Sequence, residues 1–332
     1  VPSVATSSTR AASSTSQAAR DLPDPHTLRG LTEVPELPDP KPVEGSSAQK
    51  LPVTVTDVEG NKVTIKSTSR ILALDLYGTL SRTLIGLGLG DKIVGRTVSS
   101  TEKQLHDRPV VTENGHVLNV EAVAGLKPSV IIADRSVGPK EALDQLRKSG
   151  IPVVLVDPHR SVGSTPQLIR TIADAVGKPD AGEALVKRTQ EQIDQAKKQI
   201  AAWKPAKPMR VAFLYVRGNA GVFFILGSEN GASELIQGVG ADDVASDKGI
   251  TTLVPANAES LVSINPDAIF VMRDGLASTG GMKGLLARAG VANTTAGRKQ
   301  RVISIPDGIS LSFGPQTGEV LTAVAKALYG VK

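Results

Sequence analysis

The sequence predicts an α/β protein of two Rossmann-like lobes joined by a single long backbone helix. Three observations lead there. Over 180–203, Leu185, Ile193, Ala196, Ile200 and Trp203 recur at steps of mostly three and four, with charged and amide side chains between them. That is the period of an amphipathic α-helix. On either side of it, short apolar runs alternate with helix-period segments, the pattern of a mostly parallel sheet covered on both faces. The chain has 332 residues with a 40% hydrophobic share, enough for two domains with packed cores.

The helix is bounded by its own chemistry. Gly177-Lys178-Pro179-Asp180 supplies a breaker and a capping-type residue, and Pro205 and Pro208 end the pattern. A helix of about 24 residues is roughly 36 Å long, the span of a small domain. No second helix of this kind returns the chain. The expected division is therefore a tether over 1–50, an N-terminal lobe over 51–179, the helix over 180–203 and a C-terminal lobe over 208–332.

Residues 1–50 are rich in Ser, Thr, Ala and Pro and almost free of hydrophobic periodicity. Such a composition cannot bury enough apolar surface to offset the entropy of ordering, and a disordered tether is expected. The chain begins with Val1 and not Met, so a preceding segment is expected to have been removed.

From Leu51, Val53, Val55, Val63 and Ile65 alternate with polar residues around Glu59-Gly60-Asn61, a hairpin pattern. Strands are expected at 71–75, around Val94, at 110–111, 130–133 and 153–157. Helices are expected at 79–87, 120–126, 140–148 and 165–176. In the second half a strand pair at 211–216 and 222–226 flanks Gly218-Asn219-Ala220-Gly221. Further strands are expected at 268–272 and 302–305, with helices at 233–237, 258–263, 282–289 and 318–328. Ligands of open α/β sheets sit beyond the carboxyl ends of the strands, which directs attention to the cleft expected between the lobes.

Composition excludes several functions. There is no cysteine, hence no disulfide, thiolate metal site, iron–sulfur cluster or covalent haem attachment. No apolar run reaches the ~18 residues of a membrane span. The net charge of +5 and pI near 9.3 come from basic residues spread along the chain without interleaved aromatics, so nucleic acid is not an expected partner.

Two glycine-rich stretches fail as phosphate cradles. Gly86, Gly88 and Gly90 end a helix where a dinucleotide loop would open one, and Asp91 stands where its third glycine belongs. In the stretch from Gly275, Gly281 occupies the P-loop lysine position. Asp75-Leu76-Tyr77-Gly78-Thr79-Leu80, after a strand, resembles the nucleophile motif of haloacid-dehalogenase-type hydrolases, with Asp242, Asp243 and Asp247 as a conceivable acidic cluster. No Ser/Thr and Lys/Arg partners lie on the expected strands, so this enzyme stands only as an alternative.

Of four histidines, His26 falls in the tether, His106 in a charged turn, and His159 after a strand end. His116, in Thr112-Glu113-Asn114-Gly115-His116, occupies a turn leading into the helix at Val120. It is either a solvated loop side chain or half of a site. Tyr215 lies towards the end of the first strand of the second lobe, with Arg217 two residues on and so on the same face. A phenol needs a cation or metal beside it to ionise at neutral pH, and phenolate is a hard donor suited to ferric iron. A hydrogen-bonded core tyrosine is the competing reading. Met272, ending its strand, is a candidate to pack against an apolar ring or to fill core.

Two segments carry a family resemblance. Glu121-Ala122-Val123-Ala124-Gly125-Leu126-Lys127-Pro128-Ser129-Val130-Ile131-Ile132 is similar to the first-lobe signature of cluster III ABC-importer binding proteins for vitamin B12, siderophores and haem. Glu259-Ser260-Leu261-Val262-Ser263-Ile264-Asn265-Pro266-Asp267-Ala268-Ile269 resembles the matching part of lobe two. The resemblance runs from about residue 51 onward and implies a class III periplasmic-binding-protein-like fold without enzymatic activity. Within the family the chain looks most like the haem-uptake lipoproteins. That likeness implies haem b as transported ligand, His116 and Tyr215 as axial ligands of its iron, Arg217 supporting the tyrosine, and Met272 near the ring. It further implies an ABC permease docked through Glu121 and Glu259, haem-donor surface proteins, and an extracytoplasmic chain held by an N-terminal lipid whose cysteine lies outside this sequence. Glu121 and Glu259 are also ordinary first-turn helix acids. A ferric-siderophore or vitamin B12 binder is the alternative within the fold.

Overall fold

A computed structural model of the chain describes residues 21–44 and 48–332. It divides into two compact units, neither contiguous in sequence. The N-terminal unit comprises Glu36–Ile193 with Pro306–Val320. The C-terminal unit comprises Asp194–Ile305 and Leu321–Lys332, together with the described residues up to Pro35. The segment 306–320 was expected to belong wholly with the second lobe. It joins the N-terminal unit instead, where the Thr79 hydroxyl donates to the Ser312 carbonyl and Arg82 donates to Gln316 over 2.6 Å.

In the N-terminal unit, strands Ile71–Leu74, Val130–Ala133 and Val153–Leu155 form a parallel sheet. Every residue of all three strands is buried. Alternate residues serve opposite faces. Ile71, Ala73, Ile132 and Val154 pack with helices Thr79–Gly86 and Thr165–Ala175, whereas Leu72, Leu74, Ile131 and Val153 pack with Leu143 and Leu146 of helix Lys140–Lys148. That is why these strands read as continuous apolar runs. The expected strands around Val94 and at 110–111 reduce to single parallel bridges, Ile71 to Ile93 and Arg96 to Val110. The hairpin Val53–Thr56 with Lys62–Ile65 pairs antiparallel around Glu59-Gly60-Asn61.

In the C-terminal unit a seven-stranded sheet runs in the order Leu31–Glu33, Val302–Ile305, Ala268–Met272, Arg210–Arg217, Val222–Leu226, Leu253–Pro255, with Asp242–Asp243 also pairing on Arg210–Arg217. The first four are parallel and the last two antiparallel.

The long helix spans Pro179–Trp203, 25 residues. Ala181, Leu185, Ile193, Ala196 and Ile200 are buried along one stripe. The boundary between units falls inside it, after Ile193. In its first turns glycines allow close approach: a Cβ on Gly182 would stand 2.4 Å from that of Ala173, and one on Gly86 2.9 Å from the Leu185 side chain.

The tether expectation needs correction. Residues 1–20 and 45–47 lie outside the described residues, but the stretch from Asp21 to Glu44 is built into the fold. Leu31–Glu33 adds to the sheet edge with Leu31 opposite Val302, and Val34 is buried. Asp39 accepts from the backbone N–H groups of Lys103 and Gln104 at 2.8 and 2.9 Å. Strand pairing at the edge, the Asp39 carboxylate and isolated apolar contacts of Val34 and Val43 hold this segment, none of which makes a hydrophobic period.

Candidate ligand-binding site

Tyr215 is half-buried on strand Arg210–Arg217. Its neighbours Leu214 and Val216, with Phe223 and Ile225 of the next strand, point into the core of the C-terminal unit. The opposite face carries Tyr215. Register sets Phe224 beside Tyr215 and Pro255 beside Phe224, while Val222 sits opposite Arg217 and Leu253 opposite Leu226. Val222 and Leu253 are 40% and 45% exposed, unusual for such side chains on a sheet. Around the phenol the face thus carries Phe224, Pro255, Val222 and Leu253.

Arg217 lies over the Tyr215 ring, its Cζ 4.9 Å from the centroid. Its Nη1 donates to the Val216 carbonyl at 3.2 Å and its Nη2 to Met272 Sδ at 3.4 Å. Tyr215, Arg217 and Met272 thus meet at one place. The turn following Arg217 is held by Arg288, which stacks on Phe223 at 4.6 Å and donates to the carbonyls of Gly218 and Ala220 at 2.5 and 3.1 Å. Arg288 carries no sequence signal for this role, since its partners are backbone atoms about 70 residues away.

In the N-terminal unit, His116 is exposed at the tip of a hairpin, Thr112–Glu113 with Val117–Leu118. The expected turn into a helix is this hairpin. Asn114 and Gly115 take φ of 50° and 86°, the left-handed region in which Asn-Gly turns reverse a chain. The backbone is anchored: Gly138 N–H donates to the His116 carbonyl, and Leu118 N–H to the Gly138 carbonyl, both at 2.8 Å. The tip is fixed while the imidazole is left available. His106 and His159 are exposed elsewhere in this unit, and His26, in the C-terminal unit, is tied to Asp24 at 2.9 Å.

Glu121 and Glu259 are both exposed and both occupy the first turn of a helix, Val120–Gly125 and Ala258–Ile264. Each helix is capped by an asparagine, Asn119 accepting from Ala122 and Asn257 from Ser260. Neither glutamate is needed for capping.

Asp75 is not placed to attack a substrate. It is fully buried, and its carboxylate accepts from the N–H groups of Gly78 and Thr79 at 3.2 and 3.0 Å. Arg160, also buried, reaches Asp75 at 3.1 Å and Asp134 at 2.5 Å, and donates to Thr79 Oγ1 at 2.9 Å. Asp75 and Asp134 follow the paired strand ends Leu74 and Ala133, so the fold sets two carboxylates side by side. Burial, then the neighbouring charge of Asp75, pushes Asp134 up to about 6. Arg160 went unnoticed in the sequence; the signal was that two aspartates at adjacent parallel strand ends require a cation. Tyr77 lies 5.5 Å from the Arg160 guanidinium, next to Leu76, which is partly exposed.

Among the described residues, no group of three His, Asp or Glu side chains is arranged to hold a bare metal ion. Nor is any helix there long and apolar enough to cross a membrane.

Comparison with known proteins sets these residues in context. The family model described as periplasmic binding protein matches residues 76–308. The solved heme binding protein HmuT aligns with a TM-score of 0.91 at 49% identity, covering 93% of this chain and all of that one. The periplasmic heme-binding protein RhuT from Roseiflexus sp. RS-1 aligns with a TM-score of 0.74 at 32% identity, covering 80% of this chain and 99% of that one. An uncharacterized ABC transporter substrate-binding lipoprotein of Bacillus subtilis (strain 168), YvrC, is 27% identical over 280 residues, 84% of this chain and 86% of that protein.

Proposed function

The chain belongs to the periplasmic binding protein family, and from that premise we propose that it captures haem b outside the cytoplasm and delivers it to an ABC permease. As a member of a binding-protein family it is not an enzyme, and the Asp75 hydrolase is set aside. In this reading His116 and Tyr215 are the axial ligands of the haem iron. Arg217 balances the phenolate, and Met272 lies near the ring. Glu121 and Glu259 dock the permease. Haem-donor proteins at the surface supply the ligand, and an N-terminal lipid holds the chain at the membrane.

One observation carries the choice of haem. The solved variants of HmuT replace a histidine, a tyrosine and an arginine, separated by 99 and 2 residues. The same 99-residue and 2-residue intervals separate His116 from Tyr215 and Tyr215 from Arg217. The chemistry agrees with it. Phenolate is a hard donor that neutralises ferric charge, and the apolar face formed by Val222, Phe224 and Leu253 suits a planar macrocycle more than a hydroxylated chelate.

The test is to offer the purified protein haemin, cyanocobalamin and a ferric siderophore separately, reading thermal stabilisation and absorbance. Haemin alone should raise the melting temperature and give a saturable Soret band at one equivalent. Stabilisation by either of the other two without haemin would overturn the reading.

A further inference from the structure

We infer that Gly275 is a positioning residue: its missing side chain makes the seat that holds the Arg217 guanidinium on the Tyr215 ring. This rests on Tyr215 and Arg217 serving the ligand as proposed above. Gly275 lies within helix Arg273–Ser278 with an ordinary helical backbone, not a positive φ. Glycine weakens a helix interior relative to alanine, so backbone freedom is not what the position requires. Space is. A Cβ built on Gly275 would stand 2.3 Å from Arg217 Nη1 and 2.6 Å from the Val216 carbonyl oxygen, both closer than real Cβ atoms come.

The two contacts differ in what can give. Val216 O is a backbone atom of a residue paired with Phe223 of the antiparallel neighbour. The guanidinium is the end of a flexible side chain. Displacing Arg217 relieves the first contact; the second is with backbone, so helix or strand must also give by a few tenths of an ångström. Arg217 is enclosed by the Tyr215 ring at 4.9 Å, Met272 Sδ at 3.4 Å and the bare Cα of Gly275. The helix is pinned to the same turn: Ser278 Oγ donates to the Gly275 carbonyl at 2.6 Å and accepts from Gly218 N–H at 3.0 Å. Gly275 thus borders both the Arg217 guanidinium and the Val216 carbonyl.

The test uses the full chain carrying Gly275→Ala. A crystal structure of the ligand-free variant should show the guanidinium displaced from the Tyr215 ring; a guanidinium still on the ring would overturn the inference. At saturating haemin, the visible spectrum of Gly275→Ala should shift in the direction of Arg217→Ala. The double variant should match Arg217→Ala alone. A wild-type spectrum, or a shift that adds to that of Arg217→Ala, would equally overturn it. Should Gly275→Ala not fold, adding Arg217→Ala to it removes the nearer clash and should restore folded protein; a double variant that still fails to fold would refute the seat. If the wild type gives no Soret band the haem reading fails, while the ligand-free structure still decides what Gly275 does.

Discussion

Arg217 lies over the ring of Tyr215, Cζ 4.9 Å from the centroid, with its Nη2 turned to Met272. A guanidinium in that position is held to the ring by cation–π attraction. The strand spacing and the Met272 contact hold the pair together, and a donor held in place loses less on binding than one that must be ordered.

Removing Tyr215 should therefore weaken haem binding more than removing His116. Phenolate cancels ferric charge and neutral imidazole does not, and His116 stands exposed on a hairpin tip. Tyr215→Ala should lose at least about tenfold more affinity than His116→Ala, about 1.4 kcal/mol. Fluorescence-quenching titrations with haemin would measure both; equal affinities would refute the ordering.

Asp75→Asn should act on stability and not on ligand. It removes one charge from a buried set in which Arg160 and Asp134 remain paired. Breaking buried ion pairs costs several kcal/mol, and with one partner retained a loss of about 2 kcal/mol is expected in urea unfolding. Haem affinity of the folded protein should not change. Unaltered stability would show that the triad contributes nothing there.

Glu102 gives the pH dependence a sign. It is buried beside Arg82 at 3.3 Å and accepts from Ser81 at 3.0 Å. Burial, opposed by the Arg82 charge, pushes it up to about 7 from 4.5. An acid raised on folding favours the folded state when protonated, so its contribution improves as pH falls from 7 towards 4.5. At about 1.36 kcal/mol per unit the difference approaches about 3 kcal/mol. Unfolding of Glu102→Gln between pH 5 and pH 8 should lack this component. A slope identical to wild type would contradict it.

Much of this was legible because it was local. The i, i+2 placement of Tyr215 and Arg217, the Asn-Gly turn at His116 and the period of the long helix each lie within a short window. Arg160, Gly275 and Arg288 were not legible, because their partners are brought in from distant segments by the sheets. The strand Leu31–Glu33 was missed because a three-residue edge strand is held by backbone hydrogen bonds, to which composition is blind.

Reversing Glu121 and Glu259 to lysine should abolish growth on haem as sole iron source. If the two acids dock on the permease, like charges placed opposite its basic groups can cost several kcal/mol, and both side chains are exposed in first turns that their asparagines already cap. The Soret titration should be unaltered. Normal transport in the double variant would reduce the two acids to helix-start residues.

The most direct test is the visible spectrum of the ferric haem complex in the wild type and in Tyr215→Phe. The phenylalanine keeps the ring and its stacking with Arg217 and removes only the donor oxygen. A Soret band saturating at one haem per chain, with a phenolate-to-iron charge-transfer band that disappears in Tyr215→Phe, is the predicted result. A spectrum identical in both proteins would contradict the assignment of Tyr215 to the iron.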